Sequence, residues 1–183
     1  MYTKTRDLLT CFPFRSPHLI LRPVVQTDAQ EIYRRFTEEV ALYMIPSPAK
    51  RLLDVEELVA GWIVANHLGI NLQLTITDWH GEFLGLIGLH RPHTSTPEIG
   101  LWFKRLAQHR GYGSEAVQTL KNLVDGSLEY TFLVYPVDRR NVTSRRLAEK
   151  MDGQVHHQYA HRTREGKTLE ILEYRIYPPE HNV

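Results

Sequence analysis

The chain has 183 residues, which is enough for one hydrophobic core and too few for two domains of ordinary size. Its formal net charge of +1 excludes the strong attraction to nucleic acid or to a membrane surface that a highly basic chain has. The single cysteine, Cys11, excludes an internal disulfide framework, and no stretch reaches the roughly 18 apolar residues of a membrane span. We therefore expect one soluble cytoplasmic domain, residues 1–183 with its core in about 18–178, and no nucleic-acid or membrane partner.

The first third of the chain predicts one strand and two helices. The branched apolar run Leu19–Val25 favours a strand. Asp28 and Asp54 each precede an apolar stripe at helical spacing and have a glutamate three residues later, which is the pattern of a helix start. Gly69 follows the second stripe and marks its end.

The apolar period then changes to two, which predicts strands. The strands that we expect lie at 72–76, 83–90, 97–104, 129–137, 154–162 and 168–177. A helix begins near Gly113 and closes at Gly126, and another spans 141–151 with Asn141 as its cap. The predicted order is β-α-α-β-β-β-α-β-α-β-β, a mixed α/β (α+β) domain with a mostly antiparallel sheet.

The segment QHRGYGSEAV, residues 108–117, places two glycines directly ahead of a helix. The first N–H groups of that helix have no partner within it and favour an anion, and Gly111 and Gly113 let a phosphate approach the backbone. Three basic residues surround the turn with no acid between them in sequence: Lys104, Arg105 and Arg110. The segment therefore predicts a pyrophosphate site, and the alternative is a glycine turn with solvated basic residues.

The same segment resembles a known family. Residues 108–113 match the Q/R-x-x-G-x-G/A motif of the GNAT N-acetyltransferase superfamily, and residues 98–117 resemble its RimJ/RimL-like branch, the ribosomal-protein N-terminal acetyltransferases. Residues 19–36 and 141–151 are similar to other elements of that branch, so the resemblance spans Leu19 to Tyr177. Three departures stand out: His109 replaces a usual glycine, Arg105-Leu106 replaces Pro-Glu, and KMDGQ follows the last helix.

The resemblance implies the GNAT acyl-CoA N-acyltransferase fold, acetyl-CoA as cosubstrate, an amine acceptor and no metal. It places pantetheine along the main chain of about Leu101 to Lys104, with a backbone N–H near Phe103 polarising the thioester carbonyl. The cofactor-binding residues that it implies are Trp102, Phe103, Lys104, Gln108, His109, Arg110, Gly111, Tyr112, Gly113, Ser114 and Asn141.

Two residues are candidates for the acetyl-transfer chemistry. An amine attacks only when neutral, so a general base helps, and Glu98 beside the cofactor notch is the candidate. Ser144 is the candidate acid or hydrogen-bond donor for the leaving thiolate, with Tyr135 and Tyr159 as alternatives. The structural alternatives are a strand-edge carboxylate for Glu98, a first-turn capping serine for Ser144 and a simple helix cap for Asn141.

The acceptor stays open at this stage. A protein N-terminal α-amine is the first expectation, a small amine (polyamine, aminoglycoside or amino acid) the second, and a non-catalytic acyl-CoA-binding module the third. A closed acidic pocket would favour a polycation, and an open cleft lined by arginines at 139, 140, 145 and 146 would favour an acidic peptide. We expect a monomer or homodimer, and the histidines at 156, 157 and 161 lack the further ligands that a zinc site needs.

Overall fold

The structure is a computed structural model and describes residues 12–179; Cys11 lies outside this part of the chain. The strands are β1 (Phe14–Arg15), β2 (Ile20–Pro23), β3 (Asn71–Thr77), β4 (Phe83–His90), β5 (Glu98–Phe103), β6 (Leu133–Asp138), β7 (Gln154–Arg162) and β8 (Thr168–Ile176). The helices are α1 (Ala29–Arg35), α2 (Leu52–Leu68), α3 (Tyr112–Ser127) and α4 (Val142–Lys150). The predicted order is confirmed, with the two-residue strand β1 added before it.

The strands form one sheet in the order β1-β2-β3-β4-β5-β6-β8-β7. Every neighbouring pair is antiparallel except β5 and β6. That parallel pair is registered only at Glu98 and Val134, so the two strands separate beyond this point. The sheet therefore has a notch at its centre, and the notch opens toward the carboxyl ends of β5 and β6.

The two faces of the sheet carry separate hydrophobic clusters. The larger one joins the sheet to α3 and α4, with Leu120 and Ala148 among its members. The smaller one joins Leu86 and Phe83 to Val59 of α2 and to residues around α1. Because β4 is covered on both faces, its residues form a nearly continuous apolar run rather than an alternating one.

The helix starts differ from the predicted ones on the α1–α2 side. The Asp28 carboxylate does not cap α1; it accepts hydrogen bonds from Arg22, from the Val25 N–H and from Thr75. Helix α2 begins at Leu52, two residues before Asp54, whose carboxylate pairs with Arg51 instead. Both carboxylates are thus bound by arginines, Arg22 and Arg51, instead of capping α1 or α2.

The helix starts on the other side agree with the prediction. Asn141 caps α4 by accepting the Ser144 N–H at 3.1 Å. Helix α3 begins at Tyr112, one residue before the predicted start, and extends through Gly126 to Ser127. Within residues 12–179, no helix is long and apolar enough to cross a membrane.

Candidate active site

The notch exposes the outer edge of β5. Lys104 donates its backbone N–H to the Leu84 carbonyl of β4 at 2.8 Å. Neighbouring residues of a strand direct their N–H groups to opposite sides, so the N–H of Phe103 lies on the β6 side. Since β6 has already diverged there, this peptide group faces the notch. The segment predicted to bind pantetheine thus has one backbone donor, the N–H of Phe103, that faces the notch.

The loop ahead of α3 has a backbone conformation that suits a close approach of an anion. Gly111 is the residue before the helix and has a φ of 82°, in the left-handed region that glycine adopts freely. His109 also has a positive φ, 61°, which accounts for a glycine being usual at this position. Gln108 donates its side-chain amide to the Phe103 carbonyl at 3.0 Å, which ties the loop to β5.

Two of the basic residues near this loop are already paired, so the predicted positive field is smaller than the sequence indicates. The Lys104 ammonium is buried and pairs with Glu82. Arg105 pairs with Glu39 at 2.6 Å. Arg110, in contrast, makes no ion pair among the described residues. Both acids come from distant parts of the chain, which is why inspection of the loop alone missed them.

Tyr135 and Ser144 meet on the β6 side of the notch. The Tyr135 hydroxyl lies 2.9 Å from the Ser144 Oγ. Tyr135 is buried, and that burial raises the pKa of its phenol above the ordinary value, although the hydrogen bond with Ser144 opposes the shift. The phenol therefore keeps its proton at neutral pH. Tyr135 and Ser144, which the sequence suggested as alternative acids, thus form one hydrogen-bonded pair.

Glu98 lies at the start of β5, opposite His90 of β4. Its carboxylate accepts from Arg91 at 2.9 Å and is partly exposed. His90 is half-buried, and burial is the main cause that lowers the pKa of its imidazole; Arg91 adds to the effect and Glu98 opposes it. The paired glycines Gly88 and Gly100 leave room beside this ring: a Cβ at either position would lie 3.3 Å from the His90 Nε2.

A cavity of about 320 Å³ connects these groups, which is within the range of small-molecule sites, about 300–1,000 Å³. Its polar lining includes Gln73, His90, Glu98, Tyr135, Asp138, Asn141 and Ser144. Its apolar wall comes from α1, α2 and the segment 36–49. The structure thus brings Glu98, Trp102, Asn141 and Ser144 to one cavity, whereas residues 108–114 lie outside its lining.

Sequence reasoning gave little weight to His90 and missed the wall of the cavity. His90 is not among the candidates drawn from the sequence, and it lines the cavity. Leu58 belongs to the apolar stripe of α2, yet it is exposed and lines the cavity instead of the core. The segment 36–49 offered one signal, an apolar and aromatic run over residues 40–46 without a helical or strand period.

Other residues noted in the sequence lie elsewhere. Tyr159 is on the edge strand β7, outside the residues that line the cavity. His157 stacks on Tyr159, and His156 contacts the ring of Tyr177. Among residues 12–179 there is no group of three side chains that could hold a metal ion.

Three of the four arginines near α4 have partners of their own, and Arg146 is exposed. Arg139 pairs with Glu170 at 3.1 Å, and Arg140 pairs with Asp138 at 2.8 Å. Arg145 donates to the Tyr174 hydroxyl at 3.3 Å. Hydrogen bonds from Arg140 and from backbone N–H groups outweigh the effect of burial and hold the pKa of Asp138 below its usual range.

Comparison with solved structures shows the same fold in several acetyltransferases. One from Salmonella typhimurium, which modifies the N-terminal serine of ribosomal protein L7/L12, is 16% identical, with a TM-score of 0.78 over 88% of this chain and 96% of that one. A RimL acetyltransferase in complex with coenzyme A is also 16% identical, with a TM-score of 0.78 over 90% and 97%. A spermidine N-acetyltransferase from Vibrio cholerae, in complex with CoA and spermine, is 15% identical, with a TM-score of 0.77 over 89% and 97%.

The match to a sequence family is more specific than these structural likenesses. No curated protein matches the chain significantly. The model of the acetyltransferase (GNAT) domain, however, matches residues 18–154, which include the notch, the loop ahead of α3 and the Tyr135–Ser144 pair. The chain therefore belongs to the GNAT acetyltransferase family and is an acetyl-CoA-dependent N-acetyltransferase.

Proposed function

We propose that this protein transfers the acetyl group of acetyl-CoA to a primary α-amine, in the first place that of a protein N-terminus. The observation that carries the proposal is the hydrogen-bonded Tyr135–Ser144 pair, which shares one cavity with Glu98 and His90 at the notch between β5 and β6. A proton donor and two proton acceptors thus line the same small space. The single cysteine of the chain supports a reducing compartment, the cytoplasm, as the place where it acts.

The chemistry assigned to the site forms one bond and breaks one. The neutral amine nitrogen attacks the thioester carbonyl carbon, forming the C–N bond, and the C–S bond to CoA breaks. The backbone N–H of Phe103 stabilises the negative charge that develops on the carbonyl oxygen. The amine proton passes to a base, and Ser144, supported by the protonated Tyr135, donates a proton or a hydrogen bond to the leaving thiolate.

The loop at residues 108–114 is the proposed pyrophosphate site. Its support is the positive φ of Gly111, the first turn of α3 through Tyr112, Gly113 and Ser114, and the tie from Gln108 to β5. Asn141 caps α4 and is also a proposed cofactor contact, since it lines the cavity. Lys104 contributes through its main chain, because its ammonium is bound by Glu82.

Two groups are suited to act as the base, and their pH profiles separate them. His90 accepts a proton only above its own pKa, which burial lowers, so its contribution as a base depends on pH. We compare Glu98→Gln and His90→Gln for kcat from about pH 5.5 to 9, where a catalytic base contributes about 100-fold or more. If Glu98 is the base, Glu98→Gln loses turnover at every pH and His90→Gln keeps the profile. Loss of turnover in His90→Gln alone would contradict the assignment to Glu98.

The proposed function as a whole is tested by binding and turnover together. Saturating acetyl-CoA at about 100 times its dissociation constant should stabilise the protein by about 2.7 kcal/mol, with ATP and NADPH as polyphosphate controls. A panel of amines then tests turnover through the release of CoA thiol and the mass of the acetylated product. Binding of acetyl-CoA without thiol release for any amine would reject catalysis and leave an acyl-CoA-binding module.

A further inference from the structure

We propose that the acceptor is an α-amine whose own residue carries an apolar or aromatic side chain, so that the cavity binds this side chain while the amine reaches the notch. The proposal rests on acetyl transfer at this site and names the class of acceptor. It excludes polyamines and acidic peptides as preferred acceptors. The support comes from the cavity wall, from the charges of the lining and from the strength of the available bases.

The wall opposite the sheet is apolar and comes from three consecutive parts of the chain. Helix α1 contributes Ile32 and Tyr33, the segment 36–49 contributes Tyr43 and Met44 among others, and α2 contributes Trp62. This wall lies on the side of the smaller hydrophobic cluster, away from α3 and its phosphate-binding loop. The acetyl donor enters from the α3 end, so this apolar part of the cavity remains for the acceptor.

The charges of the lining do not suit a polycation. The cavity has two carboxylates, Glu98 and Asp138, and each is already bound by an arginine, Arg91 at 2.9 Å and Arg140 at 2.8 Å. Hydrogen bonds to the Asp138 carboxylate use both of its oxygens. A polyamine would need several uncompensated carboxylates at intervals along its length, because buried ammonium groups require partners.

The lining does not suit an acidic peptide either. None of the described residues that line the cavity is a lysine or an arginine. Of the four arginines near α4 that could have provided a positive cleft, Arg139, Arg140 and Arg145 pair with Glu170 and Asp138 or donate to Tyr174. The fourth, Arg146, is exposed and does not line the cavity. Since the cavity lining has no excess of positive or negative charge, the interaction that its wall offers to an acceptor is burial of apolar surface.

The bases in the site match an α-amine better than a lysine-like amine. An α-amine has a pKa of about 7.7–8.0, so roughly one in ten is neutral at pH 7, against fewer than one in a thousand for an alkyl amine of pKa about 10.4. The two proton acceptors here are a carboxylate shared with Arg91 and a half-buried imidazole, His90. Both are weak bases, and a weak base is sufficient when the amine is already partly neutral.

The test is a panel of acceptors that differ only in the group beside the amine. Pentapeptides of the form X-Ala-Gly-Gly-Ser, with X as Leu, Phe, Ser, Asp or Lys, are compared with leucinamide and spermidine for kcat/KM by thiol release. We expect Leu and Phe to exceed Ser and Asp by about tenfold or more, the discrimination of an apolar pocket. Leucinamide equal to the Leu peptide would assign recognition to the first residue alone, and a weaker leucinamide would assign it to a peptide; both support the apolar class.

A matched pair of variants links the preference to the cavity wall. Leu58 and Leu53 are both on α2 and similarly exposed, 48% and 52%, but only Leu58 lines the cavity. Leu58→Gln should lower kcat/KM for the Leu peptide several-fold, relative to the Ser peptide, and Leu53→Gln should leave both unchanged.

The outcomes separate the two proposals. Equal or better turnover with Ser, Asp or spermidine than with Leu and Phe would overturn the acceptor class and leave acetyl transfer standing. An unchanged preference for the Leu peptide in Leu58→Gln would also contradict recognition of the acceptor side chain by the apolar wall. No thiol release with any acceptor, in protein that binds acetyl-CoA, would overturn both.

Discussion

The proposed phosphate-binding loop and the proposed acceptor cavity are built in opposite ways. The loop, residues 108–114, is one continuous segment whose proposed function depends on backbone N–H groups and on the φ of Gly111. The cavity takes side chains from α1, α2, the segment 36–49, five strands and the first turn of α4. The loop is defined by local conformation and the cavity by packing between elements. A substitution that disturbs the packing of α1 and α2 should therefore affect acceptor binding more than acetyl-CoA binding.

The largest expected effect concerns the scaffold of the acceptor side. Asp28 is buried before α1 and joined to Arg22 by hydrogen bonds of 2.7 and 2.8 Å, and to Thr75 at 2.7 Å. Asp28→Asn leaves Arg22 without its counter-charge, and we expect the free energy of unfolding to fall by about 3 kcal/mol, since Arg22 is only partly exposed. Urea unfolding measures this change. The control is Asp54→Asn, whose exposed pair with Arg51 should change the free energy of unfolding far less.

This network also sets a dependence on pH. Burial alone raises the pKa of Asp28, but hydrogen bonds from Arg22, the Val25 N–H and Thr75 outweigh it, so the net shift is downward. The stabilisation is therefore complete above the unfolded pKa of about 3.9 and is lost as the pH falls below it. Asp28→Asn should remove part of this acid sensitivity, and equal acid unfolding in the variant would contradict the assignment.

The next effect concerns the boundary between the two regions. Ser144→Ala removes the proposed donor to the leaving thiolate, and we expect kcat to fall about 100-fold, equivalent to about 2.7 kcal/mol, with little change in the dissociation constant of acetyl-CoA. Tyr135→Phe should act in the same direction, because it removes the hydroxyl 2.9 Å from Ser144. Thr143→Ala, in the same helical turn, is the control and should keep full turnover. An equal loss in Thr143→Ala would indicate damage to α4 instead of a role in catalysis.

A smaller effect is expected for a substitution in the loop, which should change only the affinity for acetyl-CoA. A Cβ at Gly113 would lie 3.4 Å from Leu147, so the larger side chain in Gly113→Val should crowd the start of α3 and obstruct the proposed phosphate site. We expect the dissociation constant of acetyl-CoA to rise about tenfold, or about 1.4 kcal/mol, in calorimetric titrations. Gly126→Val makes the same change near the end of α3, where a Cβ meets nothing within 4 Å, and should leave binding unchanged. Equal affinity in both variants would remove the loop from the cofactor site.

The smallest effect tests the recess around His90. Because the pKa of His90 is lowered in the folded protein, its contribution to stability is complete above the unfolded pKa of about 6.5 and declines as the pH falls below it. His90→Gln should flatten this slope between about pH 5 and 6.5, a change below about 1 kcal/mol, with His80→Gln in the exposed β3–β4 turn as the control. The charged groups that face the imidazole are Glu98 and Arg91, and an unchanged slope would contradict the burial of His90, which is the main cause of its lowered pKa.

Much of the structure of this protein could be predicted from its sequence, because it depends on local chemistry. The order of elements followed from changes of apolar period, the cap at Asn141 from a short polar side chain at a helix start, and the turn before α3 from two glycines. Each of these depends on residues close together in the chain. They also carried the resemblance to the GNAT family, which the match over residues 18–154 confirms.

Only the tertiary structure decided which charges remain available. Lys104 pairs with Glu82 and Arg105 with Glu39, so most of the positive charge predicted at the loop is neutralised by acids from distant segments. In the same way, it turned Leu58 toward a cavity and brought His90 beside Glu98. The physical reason is that ion pairs and cavity walls depend on distances between elements, whereas caps, turns and strand periods depend on neighbours in sequence.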